Sequence, residues 1–125
     1  MNVVDSSAWL AYFADTAHAG KFAAAIEDER RLVTPAICLL EVFKVIARQR
    51  GESDALQAIA VMQQGRVIDL DATLALRAAS LGLEHKLPLA DSIVYATARE
   101  LGATVWTQDA DFEGLRDVEY VPAAR

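Results

Sequence analysis

Short apolar runs separated by helical stretches constrain this chain more than any other feature of it. The runs are Asn2–Val4, Leu32–Thr34, Val67–Leu70, Thr104–Thr107 and Val118–Val121. Between them, apolar periodicity predicts helices over Ser7–Phe13 and Lys21–Glu29, then over Ile37–Arg50, which Gly51 closes. Ser53 and Asp54 can cap a further helix through Gln63. Thr73–His85 reads as a helix, and Pro88 starts another that runs to Leu101 and stops at Gly102. Strands joined by helices cannot pair as tight hairpins. They pair in parallel through crossovers, and the crossover helices cover both faces of the sheet. The expected fold class is therefore α/β, with one domain over residues 1–125 and no repeat or linker. In such sheets ligands collect beyond the carboxyl ends of the strands, near a switch in strand order.

The chain is long enough for its own core, since a domain of 125 residues buries roughly two-thirds of its unfolded surface. At 54% apolar it is no disordered segment. One cysteine, Cys38, excludes an internal disulfide and fits a reducing compartment. The start Met1-Asn2-Val3-Val4-Asp5 lacks the basic region of a secretory leader. The longest uncharged stretch, Ala55–Gly65, falls short of the roughly 18 residues of a membrane span. A cytoplasmic protein with no membrane partner is the expectation. The balance of 12 basic against 18 acidic residues, net −6, argues against non-specific binding to nucleic acid. It does not exclude a nuclease, because carboxylates that hold metal ions count as negative in that sum.

Where the acids stand matters more than how many there are. Asp5 ends the first strand, as either an N-cap for the next helix or a group aimed at the sheet edge. Glu41 lies in the helix after the second strand, on one stripe with Ile37, Lys44 and Arg48. That stripe is either a solvated face with a Glu41–Lys44 pair or a carboxylate beside two cations suited to phosphate. Asp91 occupies the first turn of its helix, where acids complement the dipole. Helical spacing sets Asp91 beside Val94, Tyr95 and Ala98, with Arg99 and Glu100 on another face. Asp109 and Asp111 follow the fourth strand, in a stretch that also reads as a polar turn. Singly, each acid has a structural explanation. Together they fall at one edge of one sheet and would repel one another unless a cation sat between them. Mg²⁺ or Mn²⁺ prefers such oxygen donors and bridges to phosphate oxygens. Ser6, Ser7 and Thr107 could add hydroxyl hydrogen bonds around the site.

Four stretches, Val4-Asp5-Ser6-Ser7-Ala8-Trp9, Thr34-Pro35 through Leu40-Glu41-Val42, Leu87-Pro88-Leu89-Ala90-Asp91-Ser92 and Thr107-Gln108-Asp109-Ala110-Asp111-Phe112, follow one another along the whole chain. In wording and order they resemble the PIN-domain ribonucleases, in particular the VapC toxins of type II toxin–antitoxin pairs. The resemblance implies a three-layer α/β/α fold with a central parallel sheet of strand order 3-2-1-4-5. It implies that Asp5, Glu41, Asp91 and Asp109 are the catalytic, metal-holding acids, with Mg²⁺ or Mn²⁺ as cofactor. Asp111 matches a further acid, and either Asp109 or Asp111 could approach the metal, with Asp109 preferred as nearer the strand end. The family would cleave single-stranded or looped RNA, commonly a tRNA or rRNA segment. It would form a homodimer and be neutralised by a VapB antitoxin whose C-terminal segment lies across the active-site groove. Lys44 and Arg48 are the candidate phosphate contacts, against a plain solubilising role.

The remaining chemistry-bearing residues read as structural. Cys38 lies in an apolar helix with no histidine placed to activate it. His18 and His85 read as surface groups. Trp9 reads as core, and Tyr12 and Phe13 as core or as part of an antitoxin-facing groove. A phospho-acceptor receiver module has a similar size and an acidic pocket, but it needs a late lysine, and no lysine follows Lys86. A haloacid-dehalogenase-type phosphatase needs Asp-x-Asp at the first strand, where Ser7 stands instead. A PIN-like domain that binds RNA or a partner without cutting should have lost a site acid, and none of the four is missing.

Overall fold

The computed structural model describes residues 1–123. Its elements are β1 (Asn2–Val4), α1 (Ser6–Phe13), α2 (Ala19–Glu27), β2 (Leu32–Pro35), α3 (Ala36–Arg50), α4 (Glu52–Met62) and β3 (Arg66–Ile68). There follow α5 (Ala72–His85), α6 (Leu89–Leu101), β4 (Thr104–Thr107), a short 3₁₀ turn over Ala110–Phe112, and β5 (Val118–Tyr120). All four strand pairings are parallel, and the sheet runs β3-β2-β1-β4-β5. The fold class and strand order are those expected above.

Burial along the strands shows why the helices must lie on both faces. Successive strand residues point to opposite sides, yet Val3 and Val4 in the central β1 are both fully buried, and all four residues of β2 are buried. The edge strands β3 and β5 bury only part of their residues. Crossover helices supply the cover: the chain steps from β1 to β2 to β3 one way, then jumps back past β1 to β4. The core gathers Trp9, Phe22, Tyr95 and Phe112 around the valines of β1, β2 and β4. Among the described residues, no helix is long and apolar enough to cross a membrane.

Some local readings differ from the expectations, among them α2, which runs over Ala19–Glu27 and not Lys21–Glu29. The helix after Gly51 begins at Glu52, without a side-chain cap from Ser53 or Asp54, because Gly51 at φ +96° both ends α3 and admits α4. β3 begins one residue earlier than Val67 and ends at Ile68, leaving Asp69 and Leu70 outside it. There Asp71 caps α5 by accepting the Leu74 N–H at 2.8 Å. His18 and His85 lie at the surface but only half-exposed. His85 packs edge-on against Tyr95, with ring centroids 5.5 Å apart.

The reversal of strand order falls at β1, between β2 and β4. The carboxyl ends of β1 and β4 therefore bound the crevice where this fold class takes ligands. Asp5 and Thr107–Asp109 stand there.

Candidate active site

Asp5 is held by hydroxyls and caps nothing. Its side chain makes no capping bond to α1. Instead its Oδ2 accepts from Ser7 Oγ at 2.8 Å and from Thr107 Oγ1 at 2.9 Å. Each hydroxyl has one proton, so both protons are committed to Asp5. Their lone pairs then accept the next backbone donors: Gln108 N–H reaches Ser7 Oγ, and Asp109 N–H reaches Thr107 Oγ1, each at 2.9 Å. A relay of amide, hydroxyl and carboxylate thus ties the end of β4 to the end of β1. The carboxyl of Asp5 is buried, and that burial raises its pKa above the usual carboxylate range despite the hydroxyl donors.

Ser6 performs the matching task toward α3. Its Oγ donates to Glu41 Oε1 at 2.8 Å. No Glu41–Lys44 ion pair forms among the described residues, so the carboxylate is turned to the sheet edge and not along its own helix. Lys44 and Arg48 are exposed on the following turns of α3. Cys38 is buried beside this group, where loss of solvent pushes its thiol well above the ordinary value; it is packing and not a nucleophile.

Asp91, Asp109 and Asp111 form the second half of the site. One carboxylate oxygen from each lies within 4.8 Å of the others, a spacing that can hold a metal ion. Asp109 also accepts the Asp111 N–H at 2.9 Å, so it both makes the polar turn and faces the cluster. Asp91 starts α6 next to Ser92, whose hydroxyl anchors that turn by donating to Pro88 O at 2.9 Å and Leu87 O at 3.2 Å. Partial burial, and then repulsion from Asp109 and Asp5 and hydrogen bonding with Asp109, push the Asp91 carboxyl up to about 8. A carboxyl held protonated near neutral pH marks a site short of positive charge. All donors are oxygens of hard carboxylates, a set that fits Mg²⁺ or Mn²⁺ and not a soft metal.

The structure thus brings Asp91, Asp109 and Asp111 into direct proximity, so both alternatives for the fourth acid are present together. Asp5 lies close enough to repel Asp91, and Glu41 close enough to repel Asp5. Two features escaped the sequence reading. The Ser7–Gln108 and Thr107–Asp109 links join residues about a hundred positions apart or lie within a strand end, and no periodicity signals them. Arg99, assigned by spacing to another face than Asp91, reaches back along α6 to the hydroxyl of Tyr95.

A parallel α/β/α sheet with carboxylates gathered at its switch point defines a class of oxygen-donor sites. The profile of the PIN domain matches residues 3–118, and the chain belongs to that family. Comparison with curated proteins returns no match. Among solved structures, a toxin–antitoxin complex from Klebsiella pneumoniae superposes with a TM-score of 0.79 at 22% identity, covering 95% of this chain and 96% of the other. VapC20 of Mycobacterium tuberculosis, a sarcin–ricin loop cleaving toxin, gives 0.78 at 24% identity over 98% and 100%. DNA-bound VapBC from Salmonella typhimurium gives 0.72 at 15% identity over 97% and 96%. These structures share the fold of this chain.

Proposed function

We propose that this chain is a metal-dependent endoribonuclease that acts as the toxin of a VapBC-type pair. The observation that carries the reading is the triad Asp91, Asp109 and Asp111, from each of which one carboxylate oxygen lies within 4.8 Å of the others. PIN-family membership and the toxin–antitoxin structures of the same fold support it. Asp5, Asp91 and Asp109 would hold Mg²⁺ or Mn²⁺, directly or through water, with Asp111 beside them. Bound metal supplies an activated water and charge stabilisation at the phosphodiester. Glu41, kept in place by the hydroxyl of Ser6, would orient the attacking water or help hold the metal. Ser7 and Thr107 keep Asp5 fixed in its carboxylate orientation. Lys44 and Arg48 contact substrate phosphates. The substrate class is structured tRNA or rRNA, in line with the ribosomal-loop specificity of one neighbour.

The partners are a VapB-like antitoxin and a second copy of this chain, in the cytoplasm. The surface favours pairing between α5 and α6, where Leu70, Leu83, Leu87 and Leu89 line a groove that contains no charged residue. Two chains of net −6 can meet there without bringing like charges together.

The test is incubation of purified, antitoxin-free protein with total cellular RNA in Mg²⁺, Mn²⁺ or EDTA, beside Asp5→Asn. Discrete fragments that require metal and vanish in the variant are the expected result. Metal binding without cleavage would shift the reading to a binding-only PIN domain. Cleavage by Asp5→Asn would remove Asp5 from the catalytic set.

A further inference from the structure

A strand bound with one phosphate at the acids must leave the site across a neighbouring surface, and a net charge of −6 makes an acid-free route the favourable one. The structure offers such a route. A groove of about 330 Å³ runs between α1 and α3 and begins at Ser7 and Gln108, whose Oγ and N–H meet at 2.9 Å beside Asp5. Ile46 of α3 and Phe13 at the end of α1 give it an apolar lining. The fully buried Trp9 stacks on Phe13, with ring centroids 5.6 Å apart and 18° between the planes, and so holds that ring in place. Gln49 and Arg50, exposed at the end of α3, complete the groove, and Arg50 is the only charged side chain that lines it. Asp54 lines an adjoining hollow that shares Phe13, Ile46 and Arg50, but no carboxylate among the described residues pairs with Arg50. Other cations of this chain are also unpaired. Arg50 differs from them because a continuous groove links it to the edge that holds the acids.

Resting on the ribonuclease reading, we propose that this groove seats the single-stranded RNA next to the scissile bond, with an unpaired base against Phe13 and a backbone phosphate on Arg50. A base has an apolar face and a polar edge. The Phe13 ring matches the face, and the side-chain amides of Gln49 and Gln108 offer donors and acceptors to the edge. With a rise of 1.5 Å per residue, Arg50 stands about 14 Å along α3 from Glu41. At that separation the guanidinium positions the strand and does no chemistry. Bases in a duplex are already stacked and paired, so the groove selects loops and unpaired segments.

The probe is a labelled mixed-sequence single-stranded RNA oligonucleotide bound by the Asp5→Asn protein at constant Mg²⁺, so that no cleavage intervenes. Adding Arg50→Gln should weaken binding about tenfold and lower the slope of log affinity against log salt by about 0.7, the value for one phosphate contact on a single strand. Adding Phe13→Leu, which keeps an apolar side chain but removes the ring, should weaken binding about fivefold and leave the slope unchanged. Annealing the oligonucleotide to its complement should abolish the Phe13 effect. Arg30→Gln, which removes an exposed cation off the groove, should change neither affinity nor slope. In the active enzyme, Arg50→Gln should raise KM with kcat held within about twofold. An arginine that only complements the end of α3 would change the melting temperature and leave the salt slope untouched. Unchanged RNA binding in folded Arg50→Gln and Phe13→Leu proteins overturns the proposal, even if the parent enzyme cuts RNA normally, and leaves the groove to an apolar protein segment. If the parent cuts no RNA but both effects appear, the strand-binding groove stands and the catalytic reading falls.

Discussion

Asp91 illustrates how a single residue couples folding, protons and metal. Burial, and then the neighbouring carboxylates, push its carboxyl from the ordinary 3.8 of the unfolded chain up to about 8 in the fold. The folded state thus holds a proton that the unfolded state releases between those values. The stability from this group is complete below about pH 4 and is lost as pH rises through 8. Asp5, also raised, acts with the same sign. In EDTA the melting temperature should therefore fall between pH 5.5 and 8.5, and Asp91→Asn should flatten that fall and raise the value at pH 8.5. Millimolar Mg²⁺ or Mn²⁺ should raise the melting temperature more at pH 8.5 than at pH 6, because at the lower pH the ion must first displace the proton. Thermal melts across this grid decide the matter: metal that changes nothing at either pH would leave the carboxylates a cluster without an ion.

At the scale of elements, α5 and α6 cross so closely that one side chain sets the position of the turn that carries Asp91. A Cβ on Gly82 would collide with Ser92 Oγ and lie 3.2 Å from Ser92 Cβ. That hydroxyl is already engaged with Leu87 O and Pro88 O, next to Asp91. Alanine normally gains about 1 kcal/mol over glycine inside a helix. Here overpacking should outweigh that gain, giving a net loss of about 1–2 kcal/mol in Gly82→Ala and a fall in cleavage as the start of α6 shifts. Gly82→Ala with Ser92→Ala should recover part of both, as measured by denaturant melts and cleavage rates. A more stable Gly82→Ala protein would show that the crossing is loose. Elements of this kind were largely legible in the residues. The β-branched runs and the helix-ending glycines placed nearly every strand and helix, because burial on both faces leaves few alternatives for a run such as Val3-Val4. Some boundaries drifted: α2 lies two residues earlier than expected, edge strand β3 is only half-buried and carries a weaker pattern, and the positive φ of Gly51 starts a helix without a polar cap. Four acids were visible as members of one edge, but the hydroxyl relay from Gln108 and Asp109 through Ser7 and Thr107 to Asp5 was not. It depends on side-chain protons shared between strands far apart in sequence.

The whole molecule sets two constraints on any assembly it enters. Its net charge of −6 makes random approach of two copies unfavourable, and its acidic pocket concentrates part of that charge at one edge. The side formed by α5 and α6 is different. Leu76, Leu83 and Leu89 there are 74%, 84% and 78% exposed, and Leu70 is 45% exposed. Apolar residues scattered singly need no explanation, but a cluster bordering an uncharged groove of about 610 Å³ is a surface that gains by being covered. A stable homodimer needs about 800 Å² from each partner, which a two-helix face can supply. A symmetric pairing would place Leu83 and Leu89 of each copy into the partner's groove. Leu83→Glu with Leu89→Glu should then convert a dimer to a monomer in sedimentation velocity at micromolar protein, since four buried carboxylates would meet across the axis. Both positions are open to solvent in the single chain, so the melting behaviour of the monomer should change by less than about 0.5 kcal/mol per site. A dimer that survives both substitutions would place the interface elsewhere, and a wild-type chain that sediments as a monomer would remove the homodimer from the proposed assembly.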